Sequence, residues 1–309
     1  MSEPCVSVLV PTHNRPQWLA EALDSVLRGE FADLEVVVSN NGRPEDTREL
    51  AQAVRDPRIR WIEQDQTTAF QNFLAALTQA RGKYVAILHD DDRWQPRFLA
   101  ALVPALERRS DAVLAFTDHY RMDADGGIDV AATESNSRRW GRTGLARGYY
   151  QPFLEIAARQ TVAITACVFR RASLSASALT PEVGSFYDIW ITYQLACTGG
   201  AAFYQDERLA LRRVHDSSAS ASHDLAGYVS AIRCRQRMIA DPRMEPHVGV
   251  LRERLARDHL SAGAVLLRRG SRFGARNHLL TAARLAPSWK AVAGVAATWL
   301  APTSMLPRL

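Results

Sequence analysis

Short apolar runs alternate with amphipathic segments along the first 120 residues. Five runs have the β-branched, apolar character of buried strands: residues 5–10, 34–38, 58–62, 84–88 and 112–116. Between them apolar residues recur at helical spacing, as after Pro16, which suits a first helical position, and after Thr67 or Thr68, either of which can cap a helix. This alternation predicts an α/β fold with a doubly wound, mostly parallel sheet.

The pattern weakens in the second half of the chain. Residues 121–150, rich in Gly, Ser, Arg and Asp, are predicted to form a long loop or lid. A strand over 165–169, a helix over 187–197 and a strand over 201–204 follow. Beyond residue 224 the spacing is helical, which predicts a helical C-terminal extension.

Three successive carboxylates, Asp90, Asp91 and Asp92, follow the fourth predicted strand. The carboxyl end of a parallel strand is where open α/β sheets hold ligands. Adjacent negative charges repel one another unless water, a metal or a basic partner compensates them, and Asp supplies the hard oxygens that Mg²⁺ or Mn²⁺ prefers. The cluster therefore either holds a cation or forms a solvated acidic turn before a helix that Pro96 opens.

Cysteine placement and charge limit the classes of protein that fit. The four cysteines stand far apart with no CxxC or Cys/His spacing, which argues against a zinc site or a disulfide framework and indicates a reducing compartment. Residues 1–130 hold 14 Lys and Arg against 21 Asp and Glu, whereas residues 131–309 hold 24 against 12. The basic half could meet an anionic acceptor or an acidic membrane surface; nucleic acid is not expected, because no aromatic residues interleave with the basic ones.

The tail leaves two readings open. No signal peptide precedes the first strand and no apolar run reaches about 20 residues, so a cytoplasmic location is predicted. Residues 288–300, which include Trp289 and Trp299, form a shorter apolar stretch. It could lie on the inner face of the plasma membrane as a peripheral contact, or pack on its own domain or on a second subunit in a homodimer.

Four segments together resemble the family 2 glycosyltransferases in order and spacing: Val8–Pro16, Ser39–Gly42, Arg81–Tyr84 and Leu88–Trp94. The resemblance covers residues 5 to about 222. It implies the GT-A fold, a nucleotide-diphosphate sugar donor, Mn²⁺ or Mg²⁺, and inversion at the sugar carbon. It also implies a catalytic domain over 1–222, with a nucleotide-sugar half (1–120) and an acceptor half (121–222), followed by a helical region over 223–309.

The resemblance implies a set of donor-binding residues. Pro11, Thr12, Asn14 and Arg15 would line the base and phosphate region, although Asn14 and Arg15 could equally be a helix cap and a surface residue. The family often has Asp where this chain has Asn40. An Asn amide could accept the N3 proton of uracil or thymine, or could donate to cytosine, so the base stays open with a UDP- or dTDP-sugar favoured.

The resemblance also implies how the acidic cluster works. Asp91 would contact the ribose or sugar, Asp92 would bind the metal, and Asp90 would support either. The segment Arg212–His215 resembles a late basic segment of the family that lies near the metal and the diphosphate. His215 is therefore a predicted metal-site residue, although a single His is often purely structural.

Inversion needs a base that takes the proton of the acceptor hydroxyl. Family members place an Asp at the start of a helix that ends in a Leu-Ala-x-x-Gly-like sequence; Leu195–Gly199 fits, and counting back eleven residues gives Asp188. A second register would put Phe186 at that position. The spacing of Ser185 and Asp188 also matches a capping box, which would explain Asp188 without chemistry.

The predicted function is a metal-dependent hexosyltransferase that transfers a sugar to a saccharide, lipid-linked or small-molecule acceptor in bacterial polysaccharide or glycolipid assembly. One alternative is a sugar-phosphate nucleotidyltransferase, but Pro11–Arg15 lacks the Gly-rich loop expected for a triphosphate. Another is a non-catalytic protein that binds sugar nucleotides or polyanions.

Overall fold

The computed structural model describes residues 3–65, 67–215 and 225–300 of the 309-residue chain. The chain divides into two compact units: Met1–Leu179 with Ile191–His215, and Thr180–Trp190 with Asp216–Leu309. The predicted domain boundary at residue 222 lies outside the described residues and stays a prediction, as do the two halves proposed for the catalytic domain.

Within the described residues, the first unit contains a nine-stranded sheet. Its strands are β1 Val6–Thr12, β2 Leu34–Asn40, β3 Ile59–Glu63, β4 Tyr84–Ile87, β5 Arg93–Trp94, β6 Ala112–Met122, β7 Gly148–Tyr150, β8 Cys167–Arg170 and β9 Ala201–Arg213. They are ordered β3-β2-β1-β4-β8-β6-β9-β5, and β7 also pairs with β9. Strands β3, β2, β1 and β4 are parallel, as is the β6–β9 pair, whereas β8 runs antiparallel between β4 and β6.

The helices of this part of the chain are α1 Pro16–Leu27, α2 Pro44–Val54, α3 Ala69–Thr78, α4 Phe98–Arg108, α5 Val130–Arg139, α6 Leu154–Ala158 and α7 Tyr187–Ala196, the last of which includes residues of both units. Pro16 occupies the start of α1 as predicted, and Thr68 caps α3 in a capping box with Gln71. Helix α4 begins at Phe98, so Pro96 does not open it. The predicted α/β fold class is confirmed.

The prediction of a loop or lid over 121–150 is wrong. Strand β6 continues to Met122, and both α5 and β7 fall in this region. Helix α5 forms because the Asp129 side chain accepts a hydrogen bond from the Ala132 N–H at 2.8 Å and caps its start. The helix buries polar residues, Thr133 and Ser137, so the segment shows no apolar stripe.

Close packing by Gly82 sets how β4 approaches β1. A Cβ on Gly82 would lie 2.5 Å from the backbone nitrogen of Ser7. The Gly82 N–H donates to Ser7 Oγ at 2.8 Å, and Ser7 Oγ donates to the buried carboxylate of Glu35 at 2.7 Å. The strands then pair in parallel from Val6 and Tyr84 onward, which brings the residues after β4 beside the end of β1.

The second unit is helical beyond its first short segment, as predicted. Its helices beyond α7 are α8 Leu225–Ala240, α9 Val248–Arg268, α10 Arg272–Leu285 and α11 Trp289–Leu300. Arg235 of α8 forms an ion pair with Asp258 of α9, and the Nδ1 atoms of His259 and His278 lie 3.0 Å apart between α9 and α10. Across the described residues, every helix is too short or too polar to cross a membrane.

Candidate active site

The three consecutive carboxylates lie in the interior of the first unit. Asp90, Asp91 and Asp92 are 4%, 9% and 3% exposed, which does not fit a solvated acidic turn. Thr12 Oγ1 donates to Asp90 Oδ2 at 2.8 Å, and the backbone N–H of His13 donates to the same oxygen at 3.2 Å. The end of β1 is thereby tied to the turn after β4. Burial, with the charge of Asp91, raises the pKa of Asp90.

The side chains of Arg15 and His215 meet at Asp91. Arg15 Nη1 donates to Asp90 Oδ1 at 3.2 Å and to Asp91 Oδ2 at 2.9 Å, so Arg15 is a member of the site and not a surface residue. His215 Nε2 lies 2.9 Å from the same Asp91 oxygen. Burial, the largest single influence, raises the pKa of Asp91, but the charges of His89 and Arg15 and the hydrogen bond of His215 together lower it.

Asp92 is the most deeply embedded member of the cluster. Its Oδ1 accepts the backbone N–H of Arg213 at 2.9 Å. Its Oδ2 is buried and accepts no hydrogen bond from the described residues, and Nδ1 of His89 lies 3.7 Å away. Burial and the charge of Asp91 raise the pKa of Asp92 to about 6. A carboxylate in this position is stabilised in its charged form only if a cation neutralises it.

A divalent cation fits this arrangement. His89, Asp91 and Asp92 each offer a ligand atom, and the three atoms lie within 4.8 Å of one another. The sequence predicted Asp92 and His215 as the metal-site pair; the structure gathers His89 with the two aspartates and places His215 against Asp91. The unsatisfied Asp92 Oδ2 is an oxygen of the kind that Mn²⁺ and Mg²⁺ prefer, since both favour carboxylate ligands.

Asn40, the predicted base contact, is buried at the end of β2 with both ends of its amide engaged. Its Nδ2 donates to Glu63 Oε2 and to Thr47 Oγ1, each at 2.8 Å, and its Oδ1 accepts the Gly42 N–H at 2.9 Å. Asn40 is 2% exposed, whereas Glu63 at the end of β3 is exposed. The Glu63 carboxylate accepts from Asn40 through Oε2 and from Thr47 Oγ1 through Oε1 at 3.1 Å.

Asn14 joins the loop after β1 to the loop after β2. Its φ is +54°, and its Oδ1 accepts the backbone N–H of Arg43 at 2.7 Å. The residue that precedes α1 is Arg15, so Asn14 is not the helix cap. Gly42 permits this close approach of the two loops, because a Cβ at that position would lie 2.4 Å from Asn14 Oδ1. Pro11 is the half-buried penultimate residue of β1.

Helix α1 carries residues beside the aspartate cluster that the sequence pattern predicted only to be part of a helix. The rings of Trp18 and His215 have centroids 4.4 Å apart, and the guanidinium of Arg213 lies 5.3 Å from the Trp18 centroid. Arg213 Nη2 also donates to Glu21 at 2.6 Å. Glu21 stands three residues after Trp18, one helical turn, and this spacing is the only signal in the sequence that could have linked the two.

Asp188 lies in the first turn of α7, in the second unit. Its Oδ1 accepts the backbone N–H of Ile189 at 2.7 Å. Ser185 lies inside a 3₁₀ turn, Gly184–Phe186, so it does not immediately precede α7. The first residue of a capping box would occupy the position immediately before the helix. The role of Asp188 as the base stays a prediction.

The first unit also has a polar cavity of about 860 Å³, which lies apart from the aspartate cluster. Its walls include Asp118, Arg142, Tyr204 and Arg208, and none of the residues predicted for the donor site lines it. Asp118 forms ion pairs with Arg142 and Arg208, which account for its buried charge.

Comparison with known proteins relates the chain to a described family. The family described as glycosyl transferase family 2 matches residues 7–172. A GalNAc(5)-diNAcBac-PP-undecaprenol beta-1,3-glucosyltransferase of Campylobacter jejuni is 34% identical over 104 residues, which cover 32% of this chain and 34% of that protein. The chain covers only 18% to 38% of the length of three other curated relatives that it matches.

Two solved structures share the fold. TarS of S. aureus in complex with UDP-GlcNAc has a TM-score of 0.69 at 14% identity, covering 95% of this chain and 89% of that one. The mannosyltransferase PcManGT of Pyrobaculum calidifontis in complex with GDP-Man and Mn²⁺ has a TM-score of 0.60 at 19% identity, covering 96% and 79%. These likenesses confirm the predicted GT-A-type fold.

Proposed function

The chain belongs to glycosyl transferase family 2, and from this premise we propose that it is an inverting, metal-dependent hexosyltransferase. The donor is a nucleotide-diphosphate sugar, and the acceptor is a hydroxyl of a growing bacterial polysaccharide or glycolipid. The observation that carries the proposal is Asp92 Oδ2, a buried carboxylate oxygen with no hydrogen bond from the described residues, set among His89, Asp91 and Arg15.

The donor diphosphate binds where the positive and negative groups of the site meet. His89, Asp91 and Asp92 would hold Mn²⁺ or Mg²⁺, and the bound ion supplies Lewis-acid neutralisation of charge on the leaving diphosphate. Arg15 and His215 direct N–H groups into the same region through their contacts with Asp91. Asp90 positions Thr12 and Arg15 by accepting hydrogen bonds from both.

The donor base lies between the loops that follow β1, β2 and β3. Pro11, Thr12 and Asn14 form one side of this region. The carboxylate of Glu63 reads the base, because Glu63 is exposed and its two oxygens, which each accept one hydrogen bond within the protein, can accept more, whereas the amide of the buried Asn40 has both ends engaged. A carboxylate accepts from a ring N–H, which uracil and thymine possess and cytosine lacks, so a UDP- or dTDP-sugar is favoured.

Asp188 is the base in this proposal. It takes the proton of the acceptor hydroxyl as that oxygen attacks the sugar carbon from the face opposite the diphosphate, which inverts the configuration. Its support is the family pattern around Leu195–Gly199 and its place in the first turn of α7. The acceptor is a saccharide or a lipid-linked saccharide, as the name of the Campylobacter jejuni relative indicates for that protein.

Two substitutions test the proposal. With UDP- and dTDP-sugars, wild type is expected to release free nucleoside diphosphate in Mn²⁺ and not in EDTA. Asp92→Asn should lower that rate by on the order of 10²-fold or more and abolish the increase in Tm that Mn²⁺ with UDP gives wild type. Asp188→Asn should keep the Tm increase and lose transfer.

The matched control is Asp24→Asn, an exposed change on α1 that should leave both readouts intact. Metal-dependent release that survives Asp92→Asn would contradict the metal assignment, and full transfer by Asp188→Asn would reduce Asp188 to a structural residue. Binding without release of diphosphate from any donor would favour a non-catalytic binding protein.

A further inference from the structure

The last helix of the described residues, α11 in the second unit, has an exposed apolar face. Trp289, Val292 and Trp299 of α11 are 72%, 62% and 67% exposed, and Phe273 at the start of α10 is 76% exposed. At 3.6 residues per turn the three α11 positions fall within roughly 80° of one another. They therefore form a single stripe along the helix, here called the tryptophan face.

The opposite side of α11 is packed against α10. Ala291 and Thr298 are each 1% exposed, and a Cβ on Gly294 would lie 2.9 Å from a methyl group of Leu279. Small residues thus let α11 approach α10 closely. One of the two interpretations of residues 288–300 was that they pack within their own domain. Such packing accounts for this side of α11, and the described residues leave the tryptophan face uncovered.

The stretch of chain that carries the tryptophan face has ionisable side chains of one sign. From residue 259 to residue 309 the sequence contains no Asp or Glu. The basic residues in this stretch are Arg268, Arg269, Arg272, Arg276, Arg284, Lys290 and, outside the described residues, Arg308. Arg276 of α10 places its guanidinium 3.6 Å from the ring centroid of Trp299, so positive charge borders the apolar stripe directly. The partner that complements this surface is both apolar and anionic.

We propose that the tryptophan face and its basic border form a docking surface for an anionic lipid bilayer. Trp side chains favour the bilayer interface, where the ring is buried and the indole N–H stays hydrated. Basic residues near an anionic leaflet add attraction, and stable attachment takes two such signals acting together. A second copy of this chain is a poorer partner, because two uniformly positive surfaces would repel each other.

Vesicle co-sedimentation of the full chain tests the apolar part of the surface. Wild type is expected to bind phosphatidylglycerol vesicles roughly tenfold or more tightly than phosphatidylcholine vesicles, and to dissociate as salt rises. Trp289→Ser with Trp299→Ser should lower binding to the anionic vesicles by about tenfold or more. The matched control, Ile128→Ser with Val130→Ser, removes two other exposed apolar residues, 45% and 63% exposed, and should bind like wild type.

Charge reversal tests the basic border. Arg272→Glu with Lys290→Glu should abolish the preference for phosphatidylglycerol, whereas Arg28→Glu with Arg55→Glu, the same change of net charge on exposed residues of the first unit, should preserve it. All of these positions are exposed, so folding is checked by Tm alone. Equal vesicle binding by the substituted and control proteins would overturn the proposal. So would wild-type dimers in sedimentation velocity that Trp289→Ser with Trp299→Ser converts to monomers without vesicle binding.

Discussion

The backbone N–H of Arg213 donates to Oδ1 of Asp92 at 2.9 Å, although the two residues stand 121 positions apart. The side chain of Arg213 extends the link, because Nε donates to the Asp91 carbonyl oxygen at 2.9 Å and Nη1 to the Ala124 carbonyl oxygen at 2.6 Å. Its Nη2 contacts Glu21 at 2.6 Å. The end of β9 is thereby fixed to the carboxylate turn and to α1.

Replacement of the Arg213 side chain is expected to weaken both the fold and the site. Arg213→Met keeps the backbone N–H but leaves the carbonyl oxygens of Asp91 and Ala124, and the carboxylate of Glu21, without these donors. We expect the free energy of unfolding to fall by about 2–4 kcal/mol, measured by urea denaturation, and Mn²⁺ binding to weaken. Arg28→Met, which removes an exposed pair with Asp24, should change stability by less than about 0.5 kcal/mol. Equal effects of the two would show that the buried contacts of Arg213 contribute nothing.

The Glu63 carboxylate is expected to select the donor base. Glu63→Gln replaces a charged acceptor by a neutral amide beside Asn40, so UDP and dTDP should bind roughly tenfold more weakly, while CDP should not. Isothermal titration calorimetry in the presence of Mn²⁺ measures this difference directly. Glu45→Gln, an exposed change on α2, is the control. A uniform loss for all three nucleotides would mean that Glu63 supports the loop without reading the base.

The paired histidines of the second unit are expected to make its stability depend on pH. Burial, with the neighbouring His278, lowers the pKa of His259 from 6.5 to about 4, and burial also lowers the pKa of His278. Between these values the unfolded chain binds a proton that folded His259 does not. The free energy of unfolding should therefore decrease as pH falls from about 6.5 to about 4, with the full contribution present at higher pH.

Comparison with His259→Gln isolates this contribution from the other titrating groups, which both proteins share. The difference in free energy of unfolding between wild type and variant should shrink by about 2–3 kcal/mol from pH 7 to pH 4, followed by urea denaturation at each pH. A difference that stays constant with pH would contradict the assignment.

Gly82 should tolerate no side chain. Gly82→Ala places a Cβ 2.5 Å and 2.7 Å from backbone atoms of Ser7 and Val6, which cannot move without disturbing the sheet. We expect a loss of about 2–3 kcal/mol in the free energy of unfolding. Gly249→Ala in α9 is the control, because nothing lies within 4 Å of its added Cβ and Ala favours a helix. Equal stabilities would show that the strands can separate to admit the methyl group.

The elements that the sequence predicts most accurately are those with a clear hydrophobic pattern of their own. The strands that carry Thr12, Asn40 and the aspartates are continuous apolar runs, buried on both faces, so their type and their common edge could be predicted. Strand β9 was predicted only as far as Tyr204, yet it extends to Arg213. The polar middle of β9 is held in the sheet by pairing with β6, with register shifts along the pair. A hydrophobic pattern within β9 itself does not predict this pairing.

The candidate site likewise combines residues that the local sequence predicts with residues that it does not. The aspartate cluster could be predicted because its three residues are adjacent in the sequence. His215 contacts Asp91 across 124 positions, and its place at the site was predicted from a resemblance alone. Asn40 was predicted to contact the base because the family often has Asp at its position, and this role stays a prediction. The sequence did not show that its amide is bonded to Thr47 and Glu63, which come from a helix and a strand that no local pattern links to it.

The contact between Gly82 and Ser7 lies at one end of β4 and the aspartate cluster at the other, and the four residues of β4 between them span roughly 13 Å at the rise of an extended strand. Because strands slide as whole units, crowding at the first end would shift the carboxylates at the second. A genetic screen for inactive alleles should therefore recover changes at position 82 together with those at Asp92. Temperature will separate the two classes, since crowding yields heat-sensitive alleles that recover in the cold, whereas cooling does not restore the carboxylate that a change at Asp92 removes.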